Sequence, residues 1–203
     1  MAKKINIFDE VSNDAGSRIR SKDWYLKKIQ ELKGRGLITK DKLTSYKENS
    51  ANKLEIGSMY MFVYDAKYKD TLPFWDTFPL VIPFSTNGST FTGFNLHYLP
   101  AAVRWSLLKT LLKNQDIASI RRLSSSTKMK MDYGTLKASS HLPILKPTIH
   151  SYLFSHIQPV SGGMFIKIPP ADWHFSVLLP VQDFRSNGKK IQPTSVWKNS
   201  LAG

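Results

Sequence analysis

The fold is decided by residues 56–64, IGSMYMFVY, together with FPLVIPF at 78–84 and TFTGFNLHYL at 90–99. All three segments are rich in aromatic and β-branched residues, which is typical of strands. Prolines bracket the second segment, and because proline lacks the amide donor of a central ladder, this strand is expected to begin and end at them. The Asn87-Gly88 pair before the third segment is a strong hairpin signal. Three strands joined by tight turns predict a small antiparallel β-barrel or curled sheet, of the SH3 or OB kind.

Helices are predicted on both sides of these strands, so the fold class is α+β. Ser21 is a good N-cap and Gly34 a good stop for a helix over 22–33. Pro100 suits the first turn of a second helix over 101–113, whose apolar residues follow helical spacing. Weaker patterns predict helices at 39–49 and 147–157 and strands at 164–168 and 175–181.

Composition along the chain predicts four parts. Residues 1–21 are polar and are expected to form a flexible arm, and residues 22–53 form a helical segment. Residues 54–181 form a β-rich core domain with inserted helices, and residues 182–203 form a basic tail. Both extended termini are expected to become ordered on neighbouring molecules.

The charge of the chain is strongly positive. It carries 29 Lys and Arg against 15 Asp and Glu, a formal charge of +14. From Thr77 onward, 14 basic residues stand against only four acids. A field of this sign attracts polyanions, which are either nucleic acid or an acidic protein surface.

Several kinds of chemistry have no support in the sequence. The absence of cysteine excludes disulfides, thiolate-zinc sites and cysteine nucleophiles. The five histidines lack the convergent acids of a metal site, and no phosphate loop or serine nucleophile elbow is present. No apolar run reaches the roughly 18 residues of a membrane span. We therefore expect no cofactor, no metal, no catalytic residue and no small-molecule substrate.

The candidate contact residues are basic or aromatic. Charge and an aromatic ring interleave at Lys67, Tyr68 and Lys69, on a loop of the kind with which small barrels bind single strands. Phe74 and Trp75 form either part of the core or a rigid exposed anchor for a partner. The remaining candidates lie in a basic segment and in the tail, and they are Arg121, Arg122, Lys128, Lys130, Lys189, Lys190 and Trp197.

Residues 57–67 (GSMYMFVYDAK), 69–83 (KDTLPFWDTFPLVIP) and 93–100 (GFNLHYLP) resemble a family of small virion-associated proteins of T-even-type, contractile-tailed myoviruses. The chain departs from the family pattern at Ala66, where proline is usual, and at Phe74-Trp75, where a tyrosine pair is usual. The resemblance implies a phage origin and a role in the virion, and it supplies no catalytic residues.

On this basis the expected function is that of a structural component of a contractile-tailed phage virion, in the tail, baseplate or neck. It would act by protein–protein assembly with other virion proteins, after synthesis in the host cytoplasm. One alternative is a DNA-binding protein that acts on the phage genome or its ends. A second alternative is a MazF-like endoribonuclease, since a strand, a loop and the FPLVIP strand are similar to the small barrel of those toxins.

Overall fold

The computed structural model describes residues 6–16, 18–112 and 143–202. Within them the helices are α1 (Ile7–Ala15), α2 (Lys22–Gly34), α3 (Lys40–Leu43), α4 (Ala101–Leu112), α5 (Trp173–Ser176) and α6 (Pro193–Ala202). The strands are β1 (Ser50–Ala51), β2 (Met59–Met61), β3 (Val63–Tyr64), β4 (Trp75–Asp76), β5 (Leu80–Asn87), β6 (Thr90–Asn95), β7 (Ile149–Leu153), β8 (Ile157–Gln158), β9 (Phe165–Ile168), β10 (Phe184–Ser186) and β11 (Lys189–Lys190).

The strands of the described part form three antiparallel sheets. The main sheet has six strands in the order β1-β9-β2-β5-β6-β7. A three-stranded sheet has the order β11-β10-β4, and β3 pairs with β8. The fold is therefore α+β as predicted, but these sheets are not closed into a barrel, so the SH3 or OB prediction is wrong in that respect. Among the described residues, β1 and β7 are the edges of the six-stranded sheet and do not pair with each other as they would in a barrel.

The centre of the main sheet is buried on both faces, because β2 alternates between two apolar surfaces. Met59 and Met61 pack in a core cluster with the helices, whereas Tyr60 and Phe62 point to an aromatic cluster on the opposite face. Phe62 is the centre of the aromatic cluster. Its ring centroid lies 5.1 Å from that of Tyr152 and 5.6 Å from those of Phe91 and Phe165, all edge to face. Such edge-to-face pairs contribute about 0.5–1.5 kcal/mol each beyond area burial.

Local signals in the sequence correctly predicted several elements. The Ser21 hydroxyl accepts from the Trp24 amide at 3.2 Å and caps α2. The Pro100 carbonyl accepts from the amide of Arg104 at 3.0 Å, so α4 begins where proline was expected to open it. β5 and β6 form the predicted hairpin, with Gly88 in the left-handed region at φ 54°.

Two predicted elements were wrong. Residues 149–153 form strand β7 rather than a helix, because all five residues pair with β6, from Ile149↔Phe94 to Leu153↔Thr90. Residues 175–181 do not form a strand. The short helix α5 turns the chain there, with the Val177 amide donating to the Trp173 carbonyl at 3.1 Å.

The flexible N-terminal arm predicted over 1–21 is also corrected, because α1 is docked on the core. Ile7, Phe8 and Val11 are at most 1% exposed. Lys28 on α2 forms ion pairs with Glu10 at 3.1 Å and with Asp14 at 2.7 Å. Helix α1 therefore contributes one wall of the core.

The C-terminal boundary at residue 182 is corrected in the same way. Residues 184–190 form the hairpin β10–β11, which pairs with β4, and Val196 on α6 is fully buried. The sheets thus begin at Ser50 and continue to Lys190, beyond both limits of the predicted 54–181 core. A free basic tail does not describe residues 184–196.

Helix α1 gives a direct test of this packing. We expect Phe8→Ala to lower the free energy of unfolding by about 3–5 kcal/mol, the usual cost of removing a buried phenyl ring. Urea unfolding followed by circular dichroism measures it. The control is Asn13→Ala, an exposed position of the same helix, for which a change within about 0.5 kcal/mol is expected. Near-zero loss for Phe8→Ala would mean that α1 is not docked in solution.

Gly93 gives a second test, because β5 and β6 approach closely there. A Cβ atom at Gly93 would lie 2.5 Å from Val81 Cγ1 and 2.8 Å from the Ile82 carbonyl oxygen. We expect Gly93→Ala to destabilise the protein by about 1–3 kcal/mol through overpacking. Gly34→Ala is the matched control, since its Cβ would meet nothing within 4 Å and should be neutral or slightly stabilising. Equal thermal midpoints for the two variants would contradict a close approach of β5 and β6.

Candidate nucleic-acid interface

A cleft of about 570 Å³ lies between residues 64–76 and strand β7. One side is formed by the end of β3, the following loop and β4, and the other by β7 with the 3-10 turn Leu96–Tyr98. The lining is dominated by rings, which are those of Tyr64, Tyr68, Phe74, Trp75, Tyr98, His150 and Tyr152. Flat aromatic faces of this kind bind nucleobases or other planar groups by stacking.

The loop between β3 and β4 forms the outer rim of the cleft. The amides of Thr71 and Leu72 both donate to the Tyr68 carbonyl at 3.0 Å, which closes a tight turn. Lys67 and Tyr68 are exposed on this turn, and the Lys67 ammonium lies 5.2 Å from the Tyr68 ring centroid. Lys69 instead forms an ion pair with Asp65 at 2.9 Å. Of the three predicted loop residues, Lys67 and Tyr68 line the cleft and Lys69 does not.

Phe74 and Trp75 are packed against neighbouring side chains and do not form an exposed anchor for a partner. Trp75 is only 7% exposed, and Phe74 is half-buried with its ring centroid 5.9 Å from that of Tyr98. The ring of Tyr98 in turn contacts that of His150 in a tilted arrangement, with the centroids 4.0 Å apart. Both predicted residues therefore line the cleft as fixed aromatic surface.

Behind the cleft, Asp76 holds a buried hydrogen-bond network. Its Oδ2 lies 2.7 Å from His97 Nδ1 and accepts from Asn95 Nδ2 at 3.3 Å. Its Oδ1 accepts from the backbone amides of Phe78 at 3.0 Å and Asp183 at 3.2 Å. His97 lies in the 3-10 turn Leu96–Tyr98 after β6, so the strand predicted over 90–99 ends before it.

Burial sets the protonation of this pair. Burial would raise the pKa of Asp76, but His97 and the two amide donors outweigh it and keep the pKa below its usual range. Burial lowers the pKa of His97, and Asp76 offsets this only in part. The lowered pKa of each residue is consistent with a neutral His97 that donates from Nδ1 to an ionised Asp76.

A basic hairpin lies beside the cleft. β10 pairs with β4 in the register Phe184↔Asp76 and Arg185↔Trp75. β11 carries the predicted Lys189 and Lys190, both exposed, and it lies two strand spacings from β4, or about 10 Å. The fold thus brings two of the predicted tail lysines near Phe74 and Trp75, which are distant from them in the sequence.

Trp197 has a structural position. Its indole Nε1 donates to the His97 carbonyl at 2.8 Å, and the Arg104 guanidinium carbon lies 5.9 Å from its ring centroid. The side chain is half-buried and does not line the cleft. The remaining candidates, Arg121, Arg122, Lys128 and Lys130, lie outside the described residues.

Sequence reasoning missed part of this site. Tyr98, His150 and Tyr152 form the far wall, and no local pattern places them opposite residues 64–76. The basic hairpin did have a signal, because Asn187-Gly188 is a second Asn-Gly pair, and both residues have positive φ, 47° and 74°, as a type I′ turn requires. Among the described residues, no cluster of His, Asp and Glu is arranged to hold a metal ion, and no helix is long and apolar enough to cross a membrane.

The model of a known protein family, the Phage T4 terminal DNA protecting protein, matches residues 5–200 of the chain. The chain belongs to this family. The match extends well beyond the stretches at 57–100 that carried the resemblance to T-even-type phage proteins, and it includes α1, the cleft and the basic hairpin. No match was found among curated proteins or solved structures.

The family corrects the expected function. A structural role in the tail, baseplate or neck is wrong, because the family is described by protection of DNA termini and not by tail assembly. The alternative of a DNA-binding protein that acts on the genome ends agrees with the family. The predicted T4-type phage origin is confirmed, whereas the tail is not supported as its place.

The buried histidines give the site a testable pH dependence. Burial lowers the pKa of both His97 and His150 below the ordinary 6.5. The unfolded chain therefore binds more protons than the folded one as pH falls below about 6.5. We expect unfolding free energy to decrease there by up to about 1.4 kcal/mol per pH unit for each histidine.

Urea unfolding at several pH values between about 8 and 5 measures this slope, which lies in the range where histidine titrates. His97→Gln should remove its share of the pH dependence, whatever its effect on absolute stability. A wild-type stability that is constant or rises as the pH falls through this range would contradict a neutral, buried His97.

Proposed function

We propose that this protein binds the ends of linear phage DNA and protects them from exonucleases. The observation that carries the proposal is the family match over residues 5–200, whose description names terminal DNA protection. The formal charge of +14 supports it, because a polyanion is the expected ligand of such a surface. The described site adds exposed Lys67 at the aromatic cleft and exposed Lys189 and Lys190 on the hairpin whose β10 pairs with β4.

The basic hairpin supplies the phosphate contacts in this proposal. Both of its lysines are exposed, and Lys190 is 66% exposed although its ammonium lies 3.3 Å from the Asp183 carboxylate. Lysines on a short hairpin bind phosphates as point charges without reading sequence. This suits a protein that must hold an end whatever its sequence.

We further propose that protection is stoichiometric and involves no reaction. A bound protein would deny the terminal nucleotides to a nuclease, and one protein would act on each end. A protein that holds genome ends is expected to remain with the packaged DNA in the virion, next to other virion proteins. The proposed location is therefore the DNA terminus inside the virion rather than the tail, and the proposed partners are DNA and other virion proteins.

The test uses the full-length protein and a linear DNA fragment treated with a processive exonuclease. The amount of full-length fragment that survives should rise with added protein until about one protein per end is present. Further protein should add little. A linear competitor should abolish protection, and a closed circular competitor of the same length should compete weakly. Equal degradation with and without protein, or equal competition by the circle, would contradict end protection.

The lysines have their own variant test. Lys189→Gln with Lys190→Gln should weaken binding and lower the log–log salt slope by about 0.9 for each phosphate that the hairpin no longer neutralises. Lys27→Gln with Lys33→Gln is the matched control, since these lysines are also exposed and remove the same charge from α2. Fluorescence anisotropy across a salt series measures both. An identical slope for the two double variants would show that the hairpin does not bind the DNA backbone.

A further inference from the structure

We propose that the aromatic cleft binds an unpaired terminal nucleotide of a DNA strand and stacks its base on the cleft side chains. This inference rests on the proposed function and specifies how an end is distinguished from internal DNA. It assigns a base-binding role to Tyr68 and a phosphate-binding role to Lys67.

The size of the cleft suits one nucleotide. Its volume of about 570 Å³ lies within the range of about 300–1,000 Å³ usual for small-ligand sites. A paired base brings its partner base and strand with it, and a site of this volume has room for about one nucleotide. The proposed ligand is therefore a base without a partner, as at a single-stranded overhang or a frayed end.

In the described part of the chain, three large hydrophobic side chains are more than about a third exposed, and two of them lie at this cleft. They are Tyr68 at 62% and Leu72 at 38%, whereas the third, Ile144 at 46%, lies outside it. An exposed tyrosine at the rim of a cleft lined by aromatic side chains offers a ring on which a base can stack.

The charge of the cleft lining, to which Lys67 belongs, favours a nucleotide over an aromatic peptide. Lys67 is exposed and forms no ion pair with any described residue, so its ammonium is available to a phosphate. Its neighbour Lys69 is occupied by Asp65. The carboxylate that lines the cleft, Asp76, is only 1% exposed and already accepts four hydrogen bonds, so it presents little charge to an incoming phosphate.

The experiment compares labelled duplexes that differ only at one end, with full-length protein and anisotropy as the readout. The ends are blunt, extended by one unpaired nucleotide, or extended by one abasic nucleotide that keeps the phosphate and sugar. We expect the intact overhang to bind about 5- to 150-fold more tightly than the abasic one, the equivalent of one stacked base. The abasic overhang should exceed the blunt end only by the contact of its single phosphate with Lys67.

Variants locate the effect. Tyr68→Ala should abolish the difference between intact and abasic ends, and Tyr68→Phe should retain it because the stacking face remains. Ile144→Ala is the matched control, another exposed hydrophobic residue outside the cleft, and it should change nothing. Lys67→Gln should weaken binding to both ends by the same factor. Since Lys67, Tyr68 and Ile144 are exposed, these variants are expected to fold, and circular dichroism checks it.

A crosslinking arm identifies the contact directly. A photoreactive iododeoxyuridine at the unpaired terminal position should crosslink to a cleft residue, located by mass spectrometry, whereas an internal label should not. Crosslinks that map elsewhere, or an unchanged intact-to-abasic ratio in Tyr68→Ala, would overturn the proposal. If end protection persists in that case, only the cleft assignment fails. If the protein binds no DNA end at all, the proposal of end protection fails as well.

Discussion

The structure depends on one buried carboxylate, that of Asp76. An ionised carboxylate removed from water costs several kcal/mol unless hydrogen bonds replace its hydration. Asp76 receives four, from Asn95, His97 and the amides of Phe78 and Asp183. These donors belong to the end of β6, the following turn, the entry to β5 and the entry to β10. A single side chain on β4 therefore joins the main sheet to the basic hairpin and fixes the back of the cleft.

This arrangement explains why the cleft is rigid on one side and exposed on the other. Tyr98 and His150 contact each other with ring centroids 4.0 Å apart, and the carbonyl of His97 accepts from Trp197 on α6. The loop with Lys67 and Tyr68 is closed mainly by its own turn. Fixed walls lose little entropy when a ligand stacks on them, while the exposed loop offers the side chains that a ligand must reach.

The sequence correctly predicted the helices and turns that capping and turn residues determine locally. Ser21, Pro100 and Asn87-Gly88 act on adjacent residues, so α2, α4 and the β5–β6 hairpin were found. Strand β7 was missed because pairing with β6, which is distant in sequence, overrides its local pattern. The Asp76–His97 contact and the two walls of the cleft join segments separated by loops and strands, and a single sequence carries no signal of such distances. Lys67, Tyr68, Phe74 and Trp75 were found because charge and rings alternate within a few residues, although their common cleft was not foreseen.

Selectivity for an end requires more than positive charge. Internal DNA offers the same phosphates as a terminus, at one charge per about 1.7 Å of helix axis, and in far greater number. Lysines such as Lys189 and Lys190 therefore raise affinity for all DNA equally. What a terminus alone offers is a base that can leave the stack at low cost, because it lacks a neighbour on one side. In the proposed function, a cleft of nucleotide size converts that difference into binding energy, and the basic hairpin holds the adjoining backbone. On this proposal, positive charge supplies the affinity for DNA and the aromatic cleft supplies the preference for a terminus.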